Sequence, residues 1–150
     1  MSKITLKIEP PMTAVRKDYA NRIKKLKNLK TVYSKVSIFL DRWVQTNFRT
    51  QGGKVGGWKK LASGGRYVGK GKNKRFDKSA KVLQDTGRLK ASFLPFANNK
   101  DAGIGSELPY SKTHEEGEGV PKRRILPLRK EVWPAAKKII VNHIKKSISR

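Results

Sequence analysis

Cysteine is absent from this chain, which excludes disulfides and thiolate metal sites. Histidine is nearly absent, with His114 and His143 the only two. Acids are scarce: 11 stand against 36 lysines and arginines, leaving a formal charge of +25. Long apolar runs are also missing. Near the end of the chain the longest is Ile139-Ile140-Val141, far short of the roughly 20 residues that a membrane helix needs. No membrane partner is therefore expected. The opening MSKITLKIEP has no apolar run behind its lysines, so no signal peptide is expected.

What is present begins with charge. A chain this basic repels itself and attracts polyanions. Residues 16–35 hold eight basic side chains against Asp18 alone, and residues 54–81 hold ten against Asp77 alone. Apolar residues recur among the cations, as they do not in a disordered basic tail. They amount to 36% of 150 residues, enough for one modest core and hence one domain over 1–150.

Periodicity orders the rest. Ile4, Leu6 and Ile8 alternate with Lys3, Thr5 and Lys7, the period of a strand. Thr13 can cap a helix after the Pro10-Pro11 pair. From there to about Thr50, apolar residues step by three and four: Val15, Tyr19, Ile23, Leu26, then Val36, Leu40, Val44 and Phe48. The stripe weakens over Asn28–Thr31, so this is one long bent helix or two helices. Unbroken, it would span on the order of 55 Å, too long to bury against so small a domain. Gln51–Gly57 stops it with glycine. Residues 62–81 combine glycines and cations with few anchors and read as a flexible basic loop. Lys70, Lys72, Lys74 and Arg75 are its candidates for facing a polyanion, with Tyr67 and Phe76 able to stack. Ser79–Leu83 can form a short helix. Asp85-Thr86-Gly87 signals a turn in which Asp85 or Thr86 caps the next segment, and Gly87 needs a backbone that residues with a Cβ avoid. Residues 88–106 read as a hairpin, with Pro95 in its first strand and Asn98–Asp101 as its turn. A last helix begins near Glu131 or Pro134.

The stretch 103–119, GIGSELPYSKTHEEGEG, holds the one acidic cluster and His114. Zinc wants three or four ligands, and carboxylates beside a lone histidine do not make that set. Ser111 and His114 lack a strained nucleophile turn. Acid–base work by Glu115 and Glu116 would need a pocket and a raised pKa, which the sequence does not show. No catalytic residue, metal or cofactor is expected. Residues 110–118 read instead as an interaction loop. Tyr110, His114, Glu115, Glu116 and Glu118 are its contact residues. The glutamates are expected to meet cations of this chain or a neighbour, and a triple Gln substitution is expected to leave the fold intact. Trp58, alone between Gly-Gly and Lys-Lys, is either an anchor onto the core or an exposed contact.

The order of these pieces resembles a known family. RWVQTNFRTQGG leads to Trp58 and Leu61, then to VLQDTGRLKASF with Leu83, Thr86, Gly87, Leu89 and Ser92. AGIGSELPYSKTHEEGEG comes next with Gly105, Tyr110 and His114, then VPKRRILPL with Pro121 and Leu126. This order is similar to that of the tailed-phage virion morphogenesis or tail completion proteins, which include the Mu G-like proteins. The chain departs from them at His114–Glu118, where the family has H-Q-F-G-G. The resemblance covers roughly 40–150. It implies an α+β fold: a long N-terminal helix, a small, curved, mostly antiparallel sheet and a C-terminal helix. It implies a non-enzymatic role in completing the tail and joining it to the head. The implied partners are copies of itself in a ring, commonly of six, the head-tail connector, and tail tube or tail terminator proteins. Viral DNA would cross the channel without sequence-specific contact, and the location would be the virion, assembled in the host cytoplasm. Composition alone fits a second class, a small basic nucleic-acid-binding protein.

Overall fold

The computed structural model describes residues 12–27 and 29–149; the strand expected over 1–9 and the Pro10-Pro11 pair lie outside them. Two helices stand where the stripe weakens, α1 at Met12–Lys27 and α2 at Lys30–Arg49. Thr13 lies inside the first turn of α1, so it is not the cap expected there. Tyr19 and Ile23 on α1 are exposed. Val15 of the same stripe is half-buried.

The spine of the fold is α2. Val32, Val36, Leu40, Val44 and Phe48 recur every fourth residue and are all buried. Leu29, at the N-cap, has no side chain that can cap. The first amide is met from afar instead: Lys30 N donates to Asn99 Oδ1 at 3.2 Å. At the other end, Gln51 Nε2 and Gln84 Nε2 donate to Phe48 O at 2.9 and 2.7 Å, satisfying a carbonyl that the helix leaves open.

Two two-stranded antiparallel sheets come after it. β1 (Arg66–Val68) pairs with β2 (Arg75–Asp77), Tyr67 opposite Phe76. The segment 62–81, read as a loop, therefore carries a hairpin. Ser79–Leu83 is not helical; Leu83 has φ 59°, which a helix cannot hold. One helical turn, α3 (Arg88–Ala91), leads into β3 (Phe93–Ala97), which pairs with β4 (Ala102–Ser106), as the hairpin reading required. Asn98 Oδ1 closes the connecting turn by accepting from Lys100 N and Asp101 N.

Residues 109–116 are α4 (Pro109–Glu116), a helix where a loop was expected. Pro109 opens it with a preset φ and no N–H to satisfy. The last helix, α5 (Arg129–Ile148), starts two residues before Glu131. Glu131 reaches back to accept from Leu128 N at 2.8 Å.

The core has two parts along α2. Val44 and Phe48 pack with Trp58, Val82, Leu89, Phe93 and Ile125. Val36 and Leu40 pack with Val132 and Ala136 of α5. Trp43 and Ile104 touch both parts. The architecture is α+β.

Candidate interaction site

Residues 123–126 have no regular structure, yet Arg123 and Ile125 are buried. Buried backbone groups need partners, and here side chains of distant elements supply them. Asn47 Nδ2, on the fully buried face of α2, donates to Arg124 O at 3.1 Å and Ile125 O at 3.2 Å. Trp58 Nε1 donates to Arg124 O at 2.9 Å. Glu115 Oε2 accepts from Ile125 N at 2.6 Å and Leu126 N at 3.1 Å. Arg123 N donates to His114 O at 2.7 Å. Helix α4 and the segment 123–126 are thus tied together through main-chain groups.

Trp58 is an anchor: it is buried and meets Phe48 edge-on, ring centroids 5.3 Å apart. Gly52 allows this approach. At φ +85° its backbone is left-handed, and an added Cβ would lie 2.5 Å from the Trp58 ring.

Beside the tie lies a cleft of about 270 Å³. Its walls include Leu61, Leu83, Thr86, Gly87, Leu89, Tyr110 and His114. Residues from three separate sequence motifs therefore meet at one place. Gly87 has φ 76° and caps α3, with Thr86 Oγ1 accepting from Arg88 N at 3.3 Å. Leu89 is buried; Tyr110 is 40% exposed at the rim.

The glutamates do not act together. Among the described residues Glu115 binds backbone amides and makes no direct ion pair, because α4 aims it at 125–126, although its charge is felt by Arg124. The expected cation partner is therefore corrected for this residue. Glu116 is 3.7 Å from Lys112 Nζ one turn back, both exposed, and such pairs contribute little. Glu118 is exposed. In the His114 ring, Nδ1 is buried without a hydrogen-bond partner. Burial, with Arg123 nearby, lowers the His114 pKa below its ordinary value.

Other motif residues serve the frame. Ser92 Oγ bonds Leu89 O at 2.8 Å and meets Ser106 Oγ at 2.6 Å. Leu126 packs on the larger core, and Pro121 is exposed. Gly105 sits in β4 with nothing within 4 Å of an added Cβ, so packing does not demand a glycine there. Lys70, Lys72, Lys74 and Arg75 are all exposed on the β1–β2 hairpin, with Lys74 Nζ 5.1 Å from the centre of the Tyr67 ring.

Sequence reading missed Asn47, Gln51, Gln84, Arg66 and Arg123. A polar residue on an apolar stripe, Asn47 between Val44 and Phe48, was the available signal. Among the described residues no group of three or more His, Asp or Glu side chains is placed to hold a metal ion. No described helix is long and apolar enough to cross a membrane. No family model, no curated protein and no solved structure matches this chain.

Proposed function

We propose that this chain is a non-enzymatic structural subunit of a phage virion that completes the tail and joins it to the head as a ring around the DNA channel. The observation that carries this reading is the convergence of the family-like motifs. Leu61 and Leu83, Thr86-Gly87 and Leu89, and Tyr110 and His114 line one cleft. Trp58 and the Arg124–Leu126 stretch are bonded to each other and to α4 beside it. The spacing is that of a frame, with hydrogen bonds spent on main-chain groups. Tyr19 and Ile23, 64% and 52% exposed on α1, offer apolar surface for a neighbouring copy. The cations suit a lumen that holds DNA through its phosphates. Partners in this reading are other copies, in a ring of six, with the connector on one side and tail tube or terminator proteins on the other. The place of action is the virion neck.

A second reading has its own observation. The β1–β2 hairpin presents Tyr67 and Phe76, 63% and 40% exposed, among cations, the pattern of a surface that stacks bases and follows phosphates. It favours a small nucleic-acid-binding protein acting alone. Negative-stain images of the purified protein test the first reading: rings with a central hole support it. Dispersed single subunits, both alone and with connector and tail proteins added, would overturn it.

A further inference from the structure

The cleft beside α4 is lined by two arginines, Arg123 and Arg66. Arg123 is 7% exposed. Its Nε donates to Lys59 O at 3.2 Å, and among the described residues no carboxylate pairs with it. A buried guanidinium without an anion is costly. Arg66 lines the same wall. One of its terminal nitrogens donates to Lys81 O at 2.9 Å, but its Nε is buried without a hydrogen bond. Asp85 Oδ1 lies 3.4 Å from that Nε, close enough for charge but not aligned as an acceptor. The Asp85 side chain is also 70% exposed, so water screens it. His114 Nδ1 is the second polar atom on this wall left without a hydrogen bond.

The apolar part of the wall is formed by Leu61, Val82, Leu83 and Leu89, and the Asp85 carboxylate also lines the cleft, beside Arg66. The volume, about 270 Å³, falls at the small end of ligand pockets. It suits one side chain or a short acid and excludes a nucleotide. Guanidinium edges match the planar carboxylate, which takes two parallel N–H donors. Neutral imidazole has one N–H and one acceptor nitrogen, so His114 can donate to the same group. A phosphate would set a heavily hydrated dianion against the leucines.

We propose that this cleft is a receptor site for a carboxylate carried on an apolar stem, held by Arg123 and Arg66 and donated to by His114. It stands on the cleft's own geometry and does not depend on the assembly reading. Such a group comes either as a free aliphatic acid or as an acidic side chain beside an apolar residue in another protein segment.

His114 reports on the site by NMR, since only one other histidine is present. The probes are 4-methylpentanoate, its neutral amide, and the acetylated, amidated dipeptide Leu-Glu. A saturable shift of the His114 ring resonances is expected with either carboxylate and not with the amide. A tighter free acid identifies a small ligand; a tighter dipeptide identifies a protein segment. Arg123→Gln should weaken binding about tenfold or more. Should that variant lose its dispersed spectrum, Arg66→Gln carries the comparison, with a smaller loss of affinity expected. Absence of saturation with both carboxylates, an equal response to the amide, or unchanged affinity in a folded arginine variant would overturn the proposal.

Discussion

The two hairpins are built alike and used differently. β3–β4 lies against α2 and buries Phe93 to 4% exposure, its ring 5.9 Å from that of Phe48. Its turn also caps α2 through Asn99. β1–β2 has strands of three residues, and its one aromatic pair, Tyr67 against Phe76 at 5.2 Å, remains open to solvent. Between those strands the tip carries Lys70, Lys72 and Lys74. One hairpin is part of the core, whereas the other displays cations. Local sequence that permits a hairpin therefore does not say what the hairpin is for; the neighbouring helix face decides.

The sharpest way to break this contrast is to truncate an aromatic in each hairpin. Phe93→Ala should lower stability by about 3–5 kcal/mol, the cost of emptying a packed aromatic site. Phe76→Ala should cost less than about 1 kcal/mol, since its ring contact is exposed. Urea denaturation of both variants measures the gap. Equal losses would mean that the basic hairpin is as integral as the other.

Next in size is Gly52→Ala. It combines a left-handed backbone, unfavourable by roughly 1–2 kcal/mol, with overlap on Trp58, which adds about 1–3 kcal/mol. Gly87→Val should cost only the backbone part, about 1–2 kcal/mol, because nothing lies within 4 Å of its Cβ. Thermal melts of the two variants should rank them in that order.

Glu115→Ala leaves two amides of the 123–126 segment without their carboxylate and should cost about 2–3 kcal/mol. Glu116→Gln and Glu118→Gln should stay within about 0.5 kcal/mol. A triple Gln variant keeps an amide oxygen at position 115 that can accept from the same two amides, so it should lose less than Glu115→Ala and stay folded. Hydrogen exchange at Ile125 and Leu126 reads the effect at its source.

Smaller still is an acid effect at Glu131. Its two oxygens meet Arg124 at 2.7 Å each. Those bonds, helped by the Leu128 amide, bring its pKa from 4.5 to about 2. A depressed carboxylate stabilises the fold above its unfolded pKa, and that contribution disappears as pH falls through the folded value. The loss should therefore run from about pH 4.5 down to about 2 and be absent in Glu131→Gln. A pH series of melting temperatures for both proteins checks it.

The stripe of α2, the β3–β4 hairpin and the Thr86-Gly87 turn were legible because each obeys a local rule of period or backbone conformation. Helix α4 was not: its acids lie in a stretch flanked by Gly105 and Gly117, which resembles a loop, and Glu115 and the His114 carbonyl hold it against 123–126. Ser79–Leu83 failed as a helix for the converse reason, since Gln51 takes up the Val82 amide through Oε1 at 2.6 Å. The cleft was half legible. Tyr110 and His114 stood out by type, while Arg66 and Arg123 were hidden among 36 cations. Only the burial of Arg123 and of the Arg66 Nε sets them apart, and burial is a tertiary property.

For the basic hairpin, Gln at Lys70, Lys72, Lys74 and Arg75 should leave stability within about 0.5 kcal/mol. It should flatten the salt dependence of duplex DNA binding by about one unit of slope for each phosphate no longer neutralised.

The central claim is that the chain is an assembly subunit and not a solitary binder. Sedimentation equilibrium over a range of protein concentrations, with and without a short DNA duplex, tests it most directly. The account predicts a discrete closed oligomer, with a mass that is a fixed multiple of 17.0 kDa, loosened or tightened by salt. A 17.0 kDa monomer at every concentration, loading onto DNA one subunit at a time, would contradict it.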